Sequence, residues 1–245
     1  MRIVAVVQAR MGSTRLPGKV LMDLSGNTVL ARVVTRLQRS KFINQTVVAT
    51  TESDVDDAII CECERIGVSC FRGSEEDVLD RYYRAVREYN AETVVRVTAD
   101  CPLIDPEIVD RTIELFFQKD ADYATNDVPR TFPRGLDVEV FTMSSLEQAW
   151  QEARKPYERV HVTPYFYEHP EIFRTVSLVG ESDSSRYRWT LDTEDDLKLL
   201  RAVYERFQNT DMFDCTEVLA LMQREPELLE LNSRVLQKSL QGVWG

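Results

Sequence analysis

Residues 8–19 read Gln-Ala-Arg-Met-Gly-Ser-Thr-Arg-Leu-Pro-Gly-Lys, so three cations, Arg10, Arg15 and Lys19, share one loop with two glycines, two hydroxyls and no carboxylate. The loop follows an apolar run over 3–7 that reads as a buried strand. Glycines let a backbone approach an anion closely, and N–H groups and cations then complement its charge. In a chain of net charge −11, this cationic island points to a polyphosphate ligand; a basic surface turn is the plainer alternative. The loop is not a Walker A motif, because five residues separate Gly12 from Gly18 and Val20 follows Lys19 where a hydroxyl belongs. Nor does it contain Gly-x-Gly-x-x-Gly. An ATPase or a dehydrogenase is therefore disfavoured.

Polyphosphate chemistry calls for a divalent cation, and magnesium takes a few carboxylates together with substrate phosphates. Asp100 lies just past an apolar strand run, in Thr98-Ala99-Asp100-Cys101-Pro102, and Asp192 lies between a strand end and a helix start. Each is also an ordinary turn or capping position. Glu194, Asp195 and Asp196 sit in a first helical turn, where the helix dipole accounts for them. A third cluster, Arg72-Gly73-Ser74 with Asp77, Asp80 and Arg81, could hold a base or ribose, although Ser74 could equally cap a helix. In Pro133-Arg134-Gly135-Leu136-Asp137, Arg134 is free to meet an anionic acceptor. His161, among Glu158, Arg159, Thr163 and Tyr165, reads more readily as a structural histidine than as a catalyst. As a loop cation Lys19 is expected to be exposed, so that Lys19→Ala loses turnover and keeps the fold.

The elements that must position these residues alternate. Strands are expected over 3–7, 46–50, 68–71 and 93–97, with helices over 29–39, 55–66, 76–89 and 106–118. Such alternation implies right-handed βαβ units and a mostly parallel sheet covered on both faces, with ligands outside the carboxyl ends of the strands. The second half is less regular. Strands are expected over 138–141, 173–179 and 187–189, and a Ser144/Glu147 capping box opens a helix through 153. A helix over 155–167 is interrupted at Pro164, and Thr193 caps one through 207. Asp214 and Glu217 open a helical tail with breaks near Pro226 and Asn232.

At 245 residues the chain suits one α/β domain, and we expect a main domain over 1–210 with a helical extension over 211–245 packed on it. The acidic balance argues against nucleic acid as a partner. No apolar run suggests a signal peptide or a membrane span, so a cytoplasmic location is expected. Five cysteines (61, 63, 70, 101, 215) and two histidines supply a zinc site poorly, and reduced thiols are expected. Leu219, Leu221, Leu228 and Leu231 could serve a partner or the core, and core packing is the preferred reading.

Residues 9–19, with the Asp100 and Asp192 segments, resemble the signature of sugar cytidylyltransferases, which include the 3-deoxy-manno-octulosonate and acylneuraminate enzymes. The chain also resembles the spore coat polysaccharide biosynthesis protein F branch, through Arg72-Gly73-Ser74, Val78-Leu79-Asp80-Arg81, residues 97–104 and His161-Val162-Thr163-Pro164-Tyr165. The resemblance spans residues 1–207. It implies a Rossmann-like nucleotide-diphospho-sugar transferase fold, a mostly parallel mixed sheet flanked by helices. It also implies a magnesium-dependent reaction in which a sugar or sugar-acid hydroxyl attacks the α-phosphorus of CTP and pyrophosphate leaves. Arg15 and Lys19 would then be catalytic, neutralising the triphosphate. Ala9, Arg10, Gly12, Ser13, Arg72, Ser74 and Arg81 would complete the nucleotide site, with Arg134, Gly135 and His161 on the acceptor and Asp100 and Asp192 on the metal. The family often forms homodimers, an arrangement open to this chain. Thr98-Ala99-Asp100 stands where 3-deoxy-manno-octulosonate enzymes tend to have Gln-Gly-Asp, so the acceptor sugar does not transfer. The rival readings are a UTP- or GTP-dependent sugar 1-phosphate nucleotidyltransferase, a glycosyltransferase and a non-catalytic nucleotide-binding module. A glycosyltransferase is opposed by the lack of an Asp-x-Asp at Asp100-Cys101-Pro102.

Overall fold

A computed structural model describes residues 1–237, and it sets the apolar runs side by side in one seven-stranded sheet. In chain order the elements begin β1 (Ile3–Gln8), a small hairpin β2 (Asp23–Leu24) and β3 (Asn27–Thr28), and α1 (Val29–Leu37). There follow β4 (Gln45–Thr51), α2 (Asp57–Ile66), β5 (Ser69–Gly73), α3 (Val78–Glu88), β6 (Thr93–Thr98) and α4 (Pro106–Gln118). The second half holds β7 (Tyr123–Thr125), β8 (Glu139–Thr142), α5 (Met143–Glu152), α6 (Pro156–His161) and α7 (Pro164–Glu168). It ends with β9 (Thr175–Ser177), α8 (Glu194–Arg206) and α9 (Cys215–Arg224). The sheet runs β5-β4-β1-β6-β8-β7-β9, and only β8 is antiparallel to its neighbours. This is the mixed, mostly parallel α/β architecture expected.

β1 is central and buried on both faces, which is why it reads as an unbroken apolar run. Ile3, Ala5 and Val7 pack into one core with α1, α4, α8 and α9, while Val4 and Val6 face the other core with Tyr82, Phe141 and Phe166. Val218, Leu221 and Met222 of α9, with Leu228, lie in the first core; Leu219 packs partly against it and Leu231 is exposed. Residues 238–245 of the 211–245 extension lie outside the described residues. No described helix is long and apolar enough to cross a membrane.

Several local expectations are corrected. The strand over 187–189 is only an isolated bridge between Arg134 and Arg188, and the strand over 173–179 shortens to β9. β7 carries too few residues to show an alternation. Thr142, at the end of β8, caps α5 by accepting from the Ser145 N–H, so no Ser144/Glu147 box forms. The 155–167 helix divides into α6 and α7, because Val162 adopts φ 72° and Pro164 has no N–H to continue the ladder. The Asp214/Glu217 box forms as expected, and Thr193 caps α8 with Asp196 as its partner.

Candidate active site

Parallel pairing gathers the carboxyl ends of β1, β4, β5 and β6 at one edge, and residues 9–18 cross it. Ala9 leaves β1 with its N–H on the Ala49 carbonyl (3.1 Å), and the Met11 N–H donates to Asp56 Oδ1 (2.7 Å). Ser13 accepts from the Leu16 N–H through its hydroxyl (3.3 Å). Gly18 closes the loop at φ 70°, donating to the Met11 carbonyl (2.9 Å) and opening the short turn Lys19–Leu21.

That turn buries Lys19, contrary to the expected exposure. Its Nζ donates to Asp100 Oδ2 (2.7 Å), Asp192 Oδ1 (2.9 Å) and the Leu191 carbonyl (2.7 Å). The other Asp192 oxygen meets Arg15 Nη2 at 2.7 Å and Arg188 Nη2 at 2.6 Å. The other Asp100 oxygen accepts from the Thr98 hydroxyl at 2.6 Å. Burial alone would raise the Asp192 carboxyl, but Lys19, Arg188 and Arg15 hold it down at about 2. Asp100 is likewise lowered against its burial by Lys19 and Thr98. Burial would lower the Lys19 ammonium, yet the two carboxylates raise it. The three groups are thus charged together at neutral pH.

The forward half of the loop reaches a second cluster. Arg10 lies 3.6 Å from Glu75, and a Cβ at Gly12 would approach the same Glu75 carboxylate. Arg72 spans back to the Thr51 and Ser53 carbonyls and to Asp57. Ser74 accepts from the Asp77 N–H, while Asp77 caps α3. Arg81 is fully buried: Nη1 donates to the Ser74 carbonyl, but Nε and Nη2 have no partner among the described residues. A cavity of about 1030 Å³ touches Arg72, Ser74 and α3 but no residue of the 8–19 loop.

A cavity of about 670 Å³ brings Arg134 and His161 to the same space as Arg15, Asp100 and Asp192. Gly135, at φ 103°, lets this segment cross residues 187–190 so closely that a Cβ would stand 2.6 Å from the Trp189 carbonyl carbon. The Arg134 guanidinium makes no hydrogen bond or ion pair among the described residues, and burial followed by Arg130 lowers its pKa. Arg130 bridges Asp127 and Asp137, two carboxyls that burial pushes up. His161 is half-buried; burial and Arg96 push its pKa down, and its Nε2 has no partner among the described residues. Sequence reasoning missed Arg130 and Arg188. Arg188 carries no signal of its own, because it lies in a run that reads as a strand.

A family model described as cytidylyltransferase matches residues 4–232. Spore coat polysaccharide biosynthesis protein SpsF of Bacillus subtilis is 32% identical over 237 residues, covering 92% of this chain and 95% of that protein. A cytidylyltransferase from Leptospira borgpetersenii serovar Hardjo-bovis is 38% identical, with a TM-score of 0.91 over 97% of this chain and 100% of that one. CMP:2-keto-3-deoxy-manno-octonic acid synthetase complexed with CTP shares the fold at a TM-score of 0.65 and 19% identity, over 84% of this chain and 99% of that one.

Proposed function

The chain belongs to the cytidylyltransferase family, and from that premise we propose that it transfers CMP from CTP to a sugar-acid hydroxyl, releasing pyrophosphate, for surface polysaccharide assembly. The observation that carries this reading is the contact of Lys19 with Asp100 and Asp192, beside Arg15 and a cavity lined by Arg134, whose guanidinium has no partner among the described residues. We assign the reaction to the cytoplasm, where CTP is made and unpaired thiols stay reduced.

The donor set fits a hard divalent cation. Asp100 and Asp192 each present an oxygen to one cationic nitrogen, at 2.7 and 2.9 Å. Among the described residues no third His, Cys, Asp or Glu joins them, so remaining ligands would come from phosphate and water. Magnesium held by these two carboxylates would neutralise phosphate charge as it develops. Arg15, and Lys19 once magnesium takes its place on the two carboxylates, would bind the triphosphate and the departing pyrophosphate.

Base choice rests on Arg81. Its Nε and Nη2, which have no partner among the described residues, are the two donors of one guanidinium edge. Cytosine offers O2 and N3 as adjacent acceptors, whereas uracil presents a donor at N3. CTP with magnesium at 100 times its Kd should stabilise the fold by about 2.7 kcal/mol, a rise in melting midpoint of about 5–10 °C, with UTP, ATP and GTP far weaker. Arg81→Leu should fold and lose that preference. A larger shift with UTP or GTP would favour a sugar 1-phosphate enzyme, and no shift with any nucleotide would remove the nucleotide site.

Arg134 meets the acceptor's anionic group. Arg134→Ala should raise the acceptor KM by about 10–100-fold, the worth of a hydrogen bond to a charged group, with the KM for CTP unchanged. Steady-state kinetics with an unaltered acceptor KM would take Arg134 out of the site.

A further inference from the structure

Asp192 can serve as a metal carboxylate only if it presents Oδ1 towards Asp100, and Arg188, together with Arg15, enforces this by holding Oδ2. Arg188 is itself fixed by Asp196, with Nε 3.0 Å from Oδ1. Asp196 is almost fully buried and also accepts from the Asp192 and Thr193 N–H groups, each at 3.0 Å. Both acids and the arginine therefore depend on one hub at the start of α8.

The chain's tail closes this hub. Asn232, buried, donates from Nδ2 to the Arg188 carbonyl (3.0 Å) and to Asp196 Oδ1 (2.9 Å). Arg188 Nη1 donates to Gln237 Oε1, Arg15 Nη1 reaches the Leu236 carbonyl at 3.5 Å, and Gln237 lines the acceptor cavity. We propose that residues 232–237 form part of the active-site wall and that Asn232 is a positioning residue for Asp192, acting through Arg188 and Asp196. This rests on the reading of Asp192 as a metal carboxylate. A tail that merely filled a groove would need apolar contact; here a buried amide spends both its protons on the two residues that orient Asp192.

Asn232→Leu keeps the volume and removes both donors. In the full chain, kcat should fall about tenfold, and the Kd for CTP with manganese, measured by calorimetry, should rise by a similar factor. Leu228→Ala, a buried tail position without polar contact to the site, is the comparison: it should lower the melting midpoint and leave both quantities unchanged. If Asn232→Leu does not fold, Gln237→Ala should weaken manganese–CTP binding in the same direction. Unchanged kcat and Kd in the Asn232 variant, or equal losses in Leu228→Ala, overturn the proposal. Asp192→Asn separates the two readings. Full turnover there overturns the role of Asp192 and this proposal with it, whereas lost turnover with an unaffected Asn232→Leu overturns this proposal alone.

Discussion

Lys19→Ala is expected to lose turnover by about 10²–10³, the scale for removing a group aimed at developing charge, and also to lose stability. The second half follows from burial. The alanine would leave Asp100 and Asp192, with side chains 24% and 14% exposed, facing each other without the ammonium between them. Removing one partner of a buried ion pair costs about 3–5 kcal/mol. The lower end applies because Thr98 still binds Asp100 and two arginines still bind Asp192. For a chain of this size that is a fall in melting midpoint of about 6–12 °C. Magnesium should restore more stability to the variant than it adds to the wild-type protein, because the carboxylates no longer have a competing cation. Calorimetry with and without magnesium, alongside a pyrophosphate-release assay, checks both parts. Retained turnover would end the catalytic role, and equal magnesium stabilisation of the two proteins would end the account of the carboxylate pair. Lys19→Arg should not rescue, since a planar fork cannot replace a compact ammonium between two oxygens.

The parts of this site that could be read in advance are those carried by local sequence. The run over 3–7 is apolar on both faces because β1 is central, and the glycines and cations that follow stand at its carboxyl end. Asp100 and Asp192 were visible as carboxylates at strand–helix transitions. Their meeting at Lys19 was not, since 81 and 173 residues separate them from it. The same limit hid the burial of Lys19: a basic loop read alone is a surface turn, and only the distant carboxylates make an interior ammonium affordable. Arg188 was masked by its place in a run that imitates a strand, with Tyr187 and Trp189 buried on either side. β7 was lost for want of length. Asn232, in turn, looked like a helix break, and its two donated bonds depend entirely on where α8 begins.

Gly135→Ala should be among the most damaging single changes outside the charged cluster, although it removes no contact. At φ 103° an alanine is strained by its own Cβ, which costs about 1–3 kcal/mol. That Cβ would also stand 2.6 Å from the Trp189 carbonyl carbon and 2.7 Å from the Thr190 nitrogen, both backbone atoms that cannot rotate away. Relief requires separating two segments joined by the Arg134 N–H to Tyr187 carbonyl bond (3.0 Å) and the Trp189 N–H to Arg134 carbonyl bond (2.7 Å). Overpacking adds about 1–3 kcal/mol. A total of about 4 kcal/mol lowers the melting midpoint by about 8–16 °C. The same crossing holds Arg134 against the segment that ends in Asp192, so the surviving folded fraction should show a raised acceptor KM while CTP binding persists. Thermal unfolding and acceptor kinetics on the purified variant test this. A midpoint within 2 °C of wild type would mean that the two segments separate at little cost, and that the acceptor cavity is not held together by this crossing.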